Sequence, residues 1–234
     1  MLDQAFEALK EYNWGTDPKV LNPIDEAIVS SHGDQSARQA LETRLAAVLG
    51  TDVPRDAKDY VCRKLMLIGS AESVSALATL LSNQDNSHMA RYALERIPAP
   101  EAAAAMRDAL PNINDPLKIG VIASLGVRGD TASIPLLSSY MSDENAAVAA
   151  AAAYALGDLA TSAAAKALTE PGYRASEQVV FAATDASLSC AEALLADGKN
   201  SEALAIYKGY IGLNHPKHVR LAATRGMLAC SGKK

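Results

Sequence analysis

The feature of the sequence that most constrains its fold is the alanine-rich stretch NAAVAAAAAYALGDLATSAAAKAL, residues 145–168. Val148, Ala152, Ala155 and Leu159 recur at spacings of three and four residues, the period of one face of an α-helix. Small side chains on that face allow a neighbouring helix to approach closely. The longest uncharged run in the stretch, residues 145–157, is shorter than the roughly 20 residues that a membrane-spanning helix needs. We therefore interpret the stretch as a packed helix and expect no membrane contact.

The same pattern recurs along the chain at a nearly fixed interval. Residues 115–141, DPLKIGVIASLGVRGDTASIPLLSSYM, repeat the helical stripe, and Gly126 stands 31 residues before Gly157. These glycines predict the turn after the first helix of each repeat. One hairpin of about 30 residues cannot bury its apolar face alone, whereas stacked hairpins share a continuous core. The sequence therefore predicts an all-α fold of stacked helical hairpins, with first helices near residues 57–68, 86–95, 116–126, 145–157, 176–189 and 216–229.

Three segments carry a resemblance to a known repeat family. VAAAAAYALG from Val148, VRLAATRGML from Val219 and, more loosely, LKIGVIASLG from Leu117 follow a pattern that resembles HEAT repeats. The likeness is to the short bacterial type first described in phycobilisome bilin lyases, and it covers residues 56–234. It implies a right-handed α-solenoid, a superhelix of stacked hairpins. Residues 191–211, AEALLADGKNSEALAIYKGYI, resemble a tetratricopeptide (TPR-like) hairpin instead, with a second helix that looks longer than the others.

Two further segments, RDAKDYVCRKLMLIG and SHMARYALERIPAPEA, are similar to HEAT segments of large exported multidomain proteins of planctomycetes and related bacteria. This second resemblance implies an exported or periplasmic chain that is a segment of a larger protein. The residues themselves include no targeting signal and leave the compartment open. HEAT repeats serve many roles, so both resemblances indicate architecture more than activity.

The repeat pattern predicts three parts within one continuous array. Residues 1–55 lack the repeat signature and are expected to form a helical cap, in which Trp14 and Ile24 cover the first repeat. Residues 56–174 are predicted to hold regular HEAT-like repeats. Residues 175–234 are predicted to hold divergent HEAT/TPR-like repeats, the last of them incomplete. Met227 and Leu228 in that last helix should leave an apolar face uncovered, which predicts self-association or packing against the rest of a larger protein.

Charge is unevenly distributed along a chain whose net charge is −5. Residues 129–197 hold two basic and nine acidic residues, whereas residues 198–234 hold seven basic residues and one acidic residue. A nucleic-acid-binding protein needs a continuous electropositive surface to attract phosphates. We therefore expect no nucleic-acid partner.

No pattern in the sequence predicts a catalytic or metal site. No histidine is followed by glutamate, and no glycine-rich phosphate loop or framed serine or cysteine nucleophile occurs. The closest histidine pair, His215 and His218, is interpreted as capping or solvated residues. The cysteines lie among apolar residues at helical spacing and are predicted to be buried free thiols: Cys62, Cys190 and Cys230. We expect no cofactor and no enzymatic activity.

The strongest local departure from the alanine pattern is SHMARYALERI, residues 87–97. His88, Arg91 and Tyr92 share one helix face at i, i+3 and i+4, and Arg63 and Arg128 fall in or beside the first helices of the flanking repeats. One interpretation is a ladder of salt bridges and hydrogen bonds between repeats. The other is that these five residues contact a ligand, a peptide or another protein partner.

Together these observations predict a non-catalytic scaffold that binds a protein or peptide on the concave face of a helical-repeat array. The alternative is a small-ligand-binding or enzymatic HEAT-like domain of the nucleic-acid-processing or lyase type. A deep pocket with converging histidine, arginine and carboxylate groups would favour the alternative.

Overall fold

Every regular element in the computed structural model, which describes residues 1–169 and 176–232, is a helix. No β-strand occurs in these two ranges, so the predicted all-α fold is confirmed. The chain divides into two compact units, Met1–Val121 and Ile122–Lys234, and the division falls inside one helix. A right-handed superhelix that runs through both units stays a prediction.

The first unit consists of helices arranged in two rows. They are α1 (Leu2–Ala8), α2 (Asn22–Ser30), α3 (Gln35–Leu49), α4 (Arg55–Ile68), α5 (Ala71–Ala78), α6 (Ser87–Arg96), α7 (Pro100–Ala109) and the first part of α8 (Asp115–Val127). In one row α4 packs against α6, and in the other α3 packs against α5 and α5 against α7.

Local sequence signals explain where several of these helices begin. Asp34 caps α3 by accepting a hydrogen bond from the backbone N–H of Ala37, and Ser70 caps α5 by accepting from Glu72. Such side-chain caps satisfy backbone donors that have no partner inside the helix. Ser70 in turn donates its own backbone N–H to the buried carboxylate of Glu42 on α3 at 2.6 Å. The caps therefore also fix the packing of α5 against α3.

The N-terminal residues cover the first repeat in a different way from the one predicted. Ile24 on α2 is fully buried, as expected, but the side chain of Trp14 is 64% exposed. The prediction for Trp14 is therefore wrong. Its backbone N–H donates a hydrogen bond to the carboxylate of Asp56 at 3.1 Å, but its indole ring does not cover the first repeat. Tyr60 on α4 instead joins α2, since its hydroxyl donates to Asp25 at 3.0 Å.

The second unit continues the arrangement of first and second helices. Its helices are the remainder of α8, α9 (Ile134–Tyr140), α10 (Ala146–Asp158), α11 (Ser162–Thr169), α12 (Glu177–Ala196), α13 (Asn200–Lys208) and α14 (Lys217–Cys230). Among first helices α10 packs against α12, and among second helices α9 packs against α11. Helix α13 packs against both α12 and α14.

Two of the glycines that mark the repeat lie inside helices, not in the turns after them, whereas Gly69 directly follows α4 as predicted. Gly126 belongs to α8 and Gly157 to α10, which corrects the role predicted from the sequence. A β-carbon at Gly126 would lie 2.9 Å from Cα of Ala155, and one at Gly157 would lie 2.8 Å from Cβ of Ala186. Both distances are too short for ordinary packing. The two glycines therefore stand where consecutive first helices touch, and the facing alanines meet the same requirement for small side chains.

The predicted bounds of the first helices agree with the structure within two residues, with one exception. Helix α12 continues to Ala196 and has 20 residues, so its predicted end at residue 189 is wrong. The helix after it was expected to be long, but α13 has only nine residues. The predicted boundary at residues 174 and 175 lies outside the described residues.

Helix α12 is the one helix among the described residues that is long and apolar enough to cross a membrane by length and composition alone. The expectation of no membrane contact rests on residues 145–157 and does not cover this helix. In the structure the apolar face of α12, including Val179, Ala186 and Leu194, is buried inside the second unit. Such burial is typical of the core helix of a folded domain.

Candidate functional site

The predicted cluster on α6 forms a contact between neighbouring first helices. Arg91 donates through Nη1 to the backbone carbonyl of Gly120 on α8 at 2.9 Å, and its Nη2 lies 3.3 Å from Nδ1 of His88. Burial lowers the pKa of Arg91, and the nearby Glu95 carboxylate acts in the opposite direction. An added β-carbon at Gly120 would lie 2.6 Å from Cζ of Arg91. The guanidinium therefore occupies the space that a side chain at position 120 would need.

Two other predicted contact residues in the first unit also interact with their own helices. Tyr92 is half-buried, and the guanidinium carbon of Arg96 lies 5.4 Å from the centroid of its ring. Arg63 is exposed on α4, and its Nε donates to the buried carboxylate of Asp59 one turn earlier at 3.2 Å. Such an exposed pair contributes little stability by itself, but Arg63 gives a counter-charge to a carboxylate that is otherwise shielded from water.

The fifth predicted residue, Arg128, follows α8 in the second unit. Burial lowers the pKa of its guanidinium, and Asp130 opposes that shift. The structure brings His88 and Arg91, both on α6, into contact, and the bond from Arg91 to Gly120 joins α6 to α8. The ligand-binding role of Arg63, His88, Arg91, Tyr92 and Arg128 stays a prediction.

A cleft of about 680 Å³ lies in the second unit between the second helices α11 and α13. Val180 and Thr184 of α12 form part of its lining. The described residues that line the cleft include Ser162, Ala165, Lys166, Leu168, Thr169, Val180, Thr184, Glu202, Ala205, Ile206, Tyr210 and His215.

The walls of this cleft combine an apolar surface with a few polar groups. Leu168, Val180 and Ile206 supply apolar surface, while Lys166 on α11 and Glu202 on α13 bring opposite charges to the two sides. This composition, mostly apolar with a small number of placed polar groups, is typical of binding sites. It can accommodate an apolar side chain and give directional hydrogen bonds to a neighbouring polar group.

Two contacts fix the geometry of the cleft walls. The hydroxyl of Ser162 at the start of α11 donates to the carboxylate of Glu202 and thereby joins α11 to α13. Beyond the end of α13, the rings of Tyr210 and His215 are in contact, with centroids 5.1 Å apart and an interplanar angle of 53°. Tyr210 is buried and His215 is half-buried, so the aromatic pair forms a rigid end to the cleft.

The described residues offer few groups for chemistry on a substrate. No set of three or more His, Cys, Asp or Glu side chains within residues 1–169 and 176–232 is arranged to hold a metal ion. Cys62 and Cys190 are buried, as predicted, whereas Cys230 is only partly buried. Burial raises the pKa of Cys190 and, helped by Asp59, raises the pKa of Cys62 to about 12. Both buried thiols are therefore held in the un-ionised form, which is a poor nucleophile.

Sequence reasoning did not find the cleft, and one signal could have suggested it. Lys166 is the only basic residue in the alanine-rich stretch of residues 145–168. A single charge in a helix of small side chains marks the side of α11 that lies away from the repeat core. The position of that side relative to α13 is a tertiary relation that the repeat pattern does not predict.

Comparison with known proteins bears on the architecture of part of the chain. The family model described as HEAT repeats matches residues 111–189. No curated protein matches the sequence. Among solved structures, human deoxyhypusine hydroxylase in complex with glycerol aligns at 15% identity and a TM-score of 0.35, over 99% of this chain and 96% of that chain. A match with this TM-score does not show that the two proteins share a fold or an activity. The segment from α8 to α12 is thus similar to HEAT repeats, in agreement with the resemblance found in the sequence.

Proposed function

We propose that this protein is a non-catalytic interaction module that binds a segment of a protein or peptide in the cleft between α11 and α13. The observation that carries the proposal is the cleft itself, because it is a concave surface with apolar side chains and a few polar groups in its lining. In helical-repeat proteins the surface formed by successive repeats is the usual binding surface. HEAT repeats in general mediate protein interactions. A closer kinship with the phycobilisome-lyase type, or with exported planctomycete proteins, is part of this proposal.

The lining of the cleft supports a peptide as the occupant. The apolar side chains Leu168, Val180 and Ile206 can receive one or two apolar side chains of the partner. Lys166 and Glu202 stand on opposite walls and can orient the polar groups beside them. The volume is that of a few residues of polypeptide, so we expect recognition of a short motif and not of a whole folded surface.

The same set of residues supports a binding role without catalysis. The cleft holds one histidine, His215, whose ring is already in contact with Tyr210. Neither Cys62 nor Cys190 lines the cleft, and both thiols are kept un-ionised by burial. General acid–base or nucleophilic catalysis needs a reactive group and its activating partner within hydrogen-bond reach of the substrate.

The proposal is tested by a substitution that places a large side chain in the cleft. Ala205 is an exposed residue of α13 that lines the cleft, and Ala123 is an exposed residue of α8 that does not line it. Peptides selected from a random displayed library on the wild-type protein should bind the Ala205→Trp variant at least about tenfold more weakly, since a wedged indole excludes the ligand. The matched variant Ala123→Trp should bind them unchanged. Selected peptides that bind both variants equally would contradict a peptide site in this cleft.

A second candidate function is the binding of a small molecule in the same cleft. The cleft volume of about 680 Å³ favours it, because small-ligand sites commonly measure about 300–1,000 Å³. A thermal-shift screen of small polar and amphipathic compounds, repeated on Ala205→Trp, separates this candidate from the first. Compounds that stabilise the wild type and not the variant, together with a failed peptide selection, would support the small-ligand function.

The predicted residues on α4 and α6 define another candidate contact surface in the first unit, and a role for this surface is part of the proposal. His88 and Arg63 are its exposed members. Their substitution by alanine should leave peptide binding at the cleft unchanged. A loss of binding in His88→Ala or Arg63→Ala, with Ala205→Trp unaffected, would transfer the proposed site to that surface.

A further inference from the structure

The first helices α12 and α14 are neighbours in the second unit and carry opposite charges. Helix α12 contains three acidic residues and no basic residue: Glu177, Asp185 and Glu192. Helix α14 contains three basic residues and no acidic residue: Lys217, Arg220 and Arg225. All of these except Arg220 are exposed. The outer surface of this part of the unit therefore has one acidic helix and one basic helix side by side.

A groove of about 280 Å³ runs between these two helices. Phe181 and Leu188 line it from α12, and Val219 and Ala222 line it from α14. The ring of Phe181 is 61% exposed in a chain that has only two phenylalanines. Leu221, on the turn of α14 that borders the groove, is 55% exposed. An exposed aromatic ring beside an apolar groove is typical of a surface that another protein covers.

Three charged side chains on these two helices have no ionic partner. The side chains of Asp185, Glu192 and Arg225 form no hydrogen bond or ion pair with any residue in the described ranges. Asp185 and Glu192 lie on the rim of the groove, and His218 lies on the opposite rim. The groove thus has unpaired acidic side chains on its α12 rim, and the unpaired Arg225 belongs to the helix of the opposite wall without lining the groove.

We propose that two copies of this protein associate through this surface as a two-fold symmetric dimer, in which α12 of each copy packs across α14 of its partner. A two-fold axis that runs along the groove places α12 of one copy opposite α14 of the other copy. Each acidic helix then faces a basic helix, and both Phe181 rings enter the shared apolar centre. Self-complementarity of this kind is what an isologous interface requires.

The charge pattern favours a second copy over an unrelated partner. A basic helix placed in the groove would be attracted by α12 but repelled by α14. An acidic helix would be attracted by α14 but repelled by α12. A second copy of the same surface, rotated by 180°, places opposite charges against both helices at once. The sequence predicts self-association through Met227 and Leu228 of α14. In the structure Met227 packs against the core, whereas Leu228 is 50% exposed.

The first test is the oligomeric state of the full chain. Sedimentation velocity or light scattering from about 1 to 100 µM should show a monomer–dimer equilibrium, because an interface of modest size gives dissociation constants in that range. The dimer should weaken as NaCl rises from about 0.05 to 0.5 M, since opposite exposed charges are screened. A protein that stays monomeric over the whole range at low salt overturns the proposal.

The second test assigns the surface. Phe181→Ser should weaken the dimer at least about tenfold, because a central aromatic anchor contributes most to such an interface. Val29→Ser, which removes an equally exposed apolar side chain from α2, should leave it unchanged. Equal effects of the two substitutions would overturn the assignment of the groove.

The third test separates charge complementarity from damage to the fold. Asp185→Lys with Glu192→Lys makes α12 basic, and Lys217→Glu with Arg225→Glu makes α14 acidic. Each double variant alone should be monomeric, since like charges then face each other. An equimolar mixture of the two should form a heterodimer, because every acidic helix again faces a basic one. Failure of the mixture to associate, with both variants folded by circular dichroism, would overturn the proposal.

These tests are independent of peptide binding. The cleft between α11 and α13 is probed by Ala205→Trp, which changes none of the residues that line the groove. A monomeric protein that still loses its selected peptides in Ala205→Trp would reject the dimer and keep the proposed function.

Discussion

Gly157 on α10 and Ala186 on α12 touch so closely that no β-carbon fits between them: one added to Gly157 would lie 2.8 Å from the β-carbon of Ala186 and 3.0 Å from its α-carbon. We predict that Gly157→Ala lowers the free energy of unfolding by about 1–3 kcal/mol through overpacking, although alanine is the better helix former. Urea denaturation monitored by circular dichroism measures the change. Gly50→Ala is the matched control, since its nearest neighbour would be 3.6 Å away. A stabilised Gly157→Ala variant would contradict the close contact.

Ala152 is fully buried in α10 and belongs to the helical stripe of the repeat. We predict that Ala152→Leu destabilises the protein by about 1–3 kcal/mol, because three added carbon atoms must displace a close-packed neighbour. Ala123→Leu, at an exposed position of α8, should leave the denaturation midpoint nearly unchanged. If both variants unfold at the wild-type urea concentration, Ala152 does not lie in a packed contact between helices.

The contact between Arg91 and Gly120 predicts a strongly non-additive pair of substitutions. Gly120→Ala should destabilise the wild type by about 1–2 kcal/mol, because the new β-carbon displaces the guanidinium and its hydrogen bond to the carbonyl of residue 120. In the Arg91→Ala background the same substitution should be neutral or stabilising, since alanine is the better helix former and the guanidinium is gone. A double-mutant cycle by urea denaturation measures the coupling. Additive effects would show that the two residues do not interact.

The buried thiol of Cys62 predicts a loss of stability at alkaline pH. Its pKa is raised to about 12, mainly by burial and further by Asp59. A cysteine thiol in an unfolded chain has a pKa of about 8.5. Above about pH 8.5 the unfolded state loses a proton that the folded state keeps, so the free energy of unfolding falls as pH rises toward the folded pKa.

Urea midpoints measured in steps between about pH 7 and 9.5 test this linkage. Cys62→Ala should be less stable than the wild type at pH 7 and should show a smaller decrease over this range. Parallel pH profiles for the two proteins would mean that Cys62 makes no contribution to the alkaline decrease.

In the folded state at pH 7 the Cys230 thiol, which is partly exposed, should react with a maleimide before the buried thiols of Cys62 and Cys190 do.

The repeated helices could be predicted from the sequence because their signal is periodic and local. The stripe through Val148, Ala152 and Ala155 fixes which face of α10 is buried, and the structure places all three in the core. The role of Gly157 could not be derived in the same way. A glycine near the end of a helix fits a turn as well as a close contact, and the contact becomes visible only when the facing Ala186 is in place.

The length of α12 could not be predicted from the sequence pattern. The TPR-like resemblance predicts that residues 191–196 belong to a separate hairpin, but no glycine or proline lies between Ser189 and Ala196 to end the preceding helix. Helix α12 therefore continues to Ala196, and α13 begins at Asn200. The contact from Arg91 to the carbonyl of Gly120 had no sequence signal either, because it joins a side chain to a backbone atom 29 residues away.

The contacts between neighbouring repeats also have a kinetic consequence. Arg91 bonds to Gly120, Gly126 lies against Ala155, Gly157 lies against Ala186 and Cys190 bonds to Thr161, and each pair is 29 residues apart. Each contact therefore closes a loop of the same short length, and the entropy lost on closure does not grow with the number of repeats. A chain organised in this way should fold rapidly for its size, and its folding can nucleate in any repeat and spread to the next.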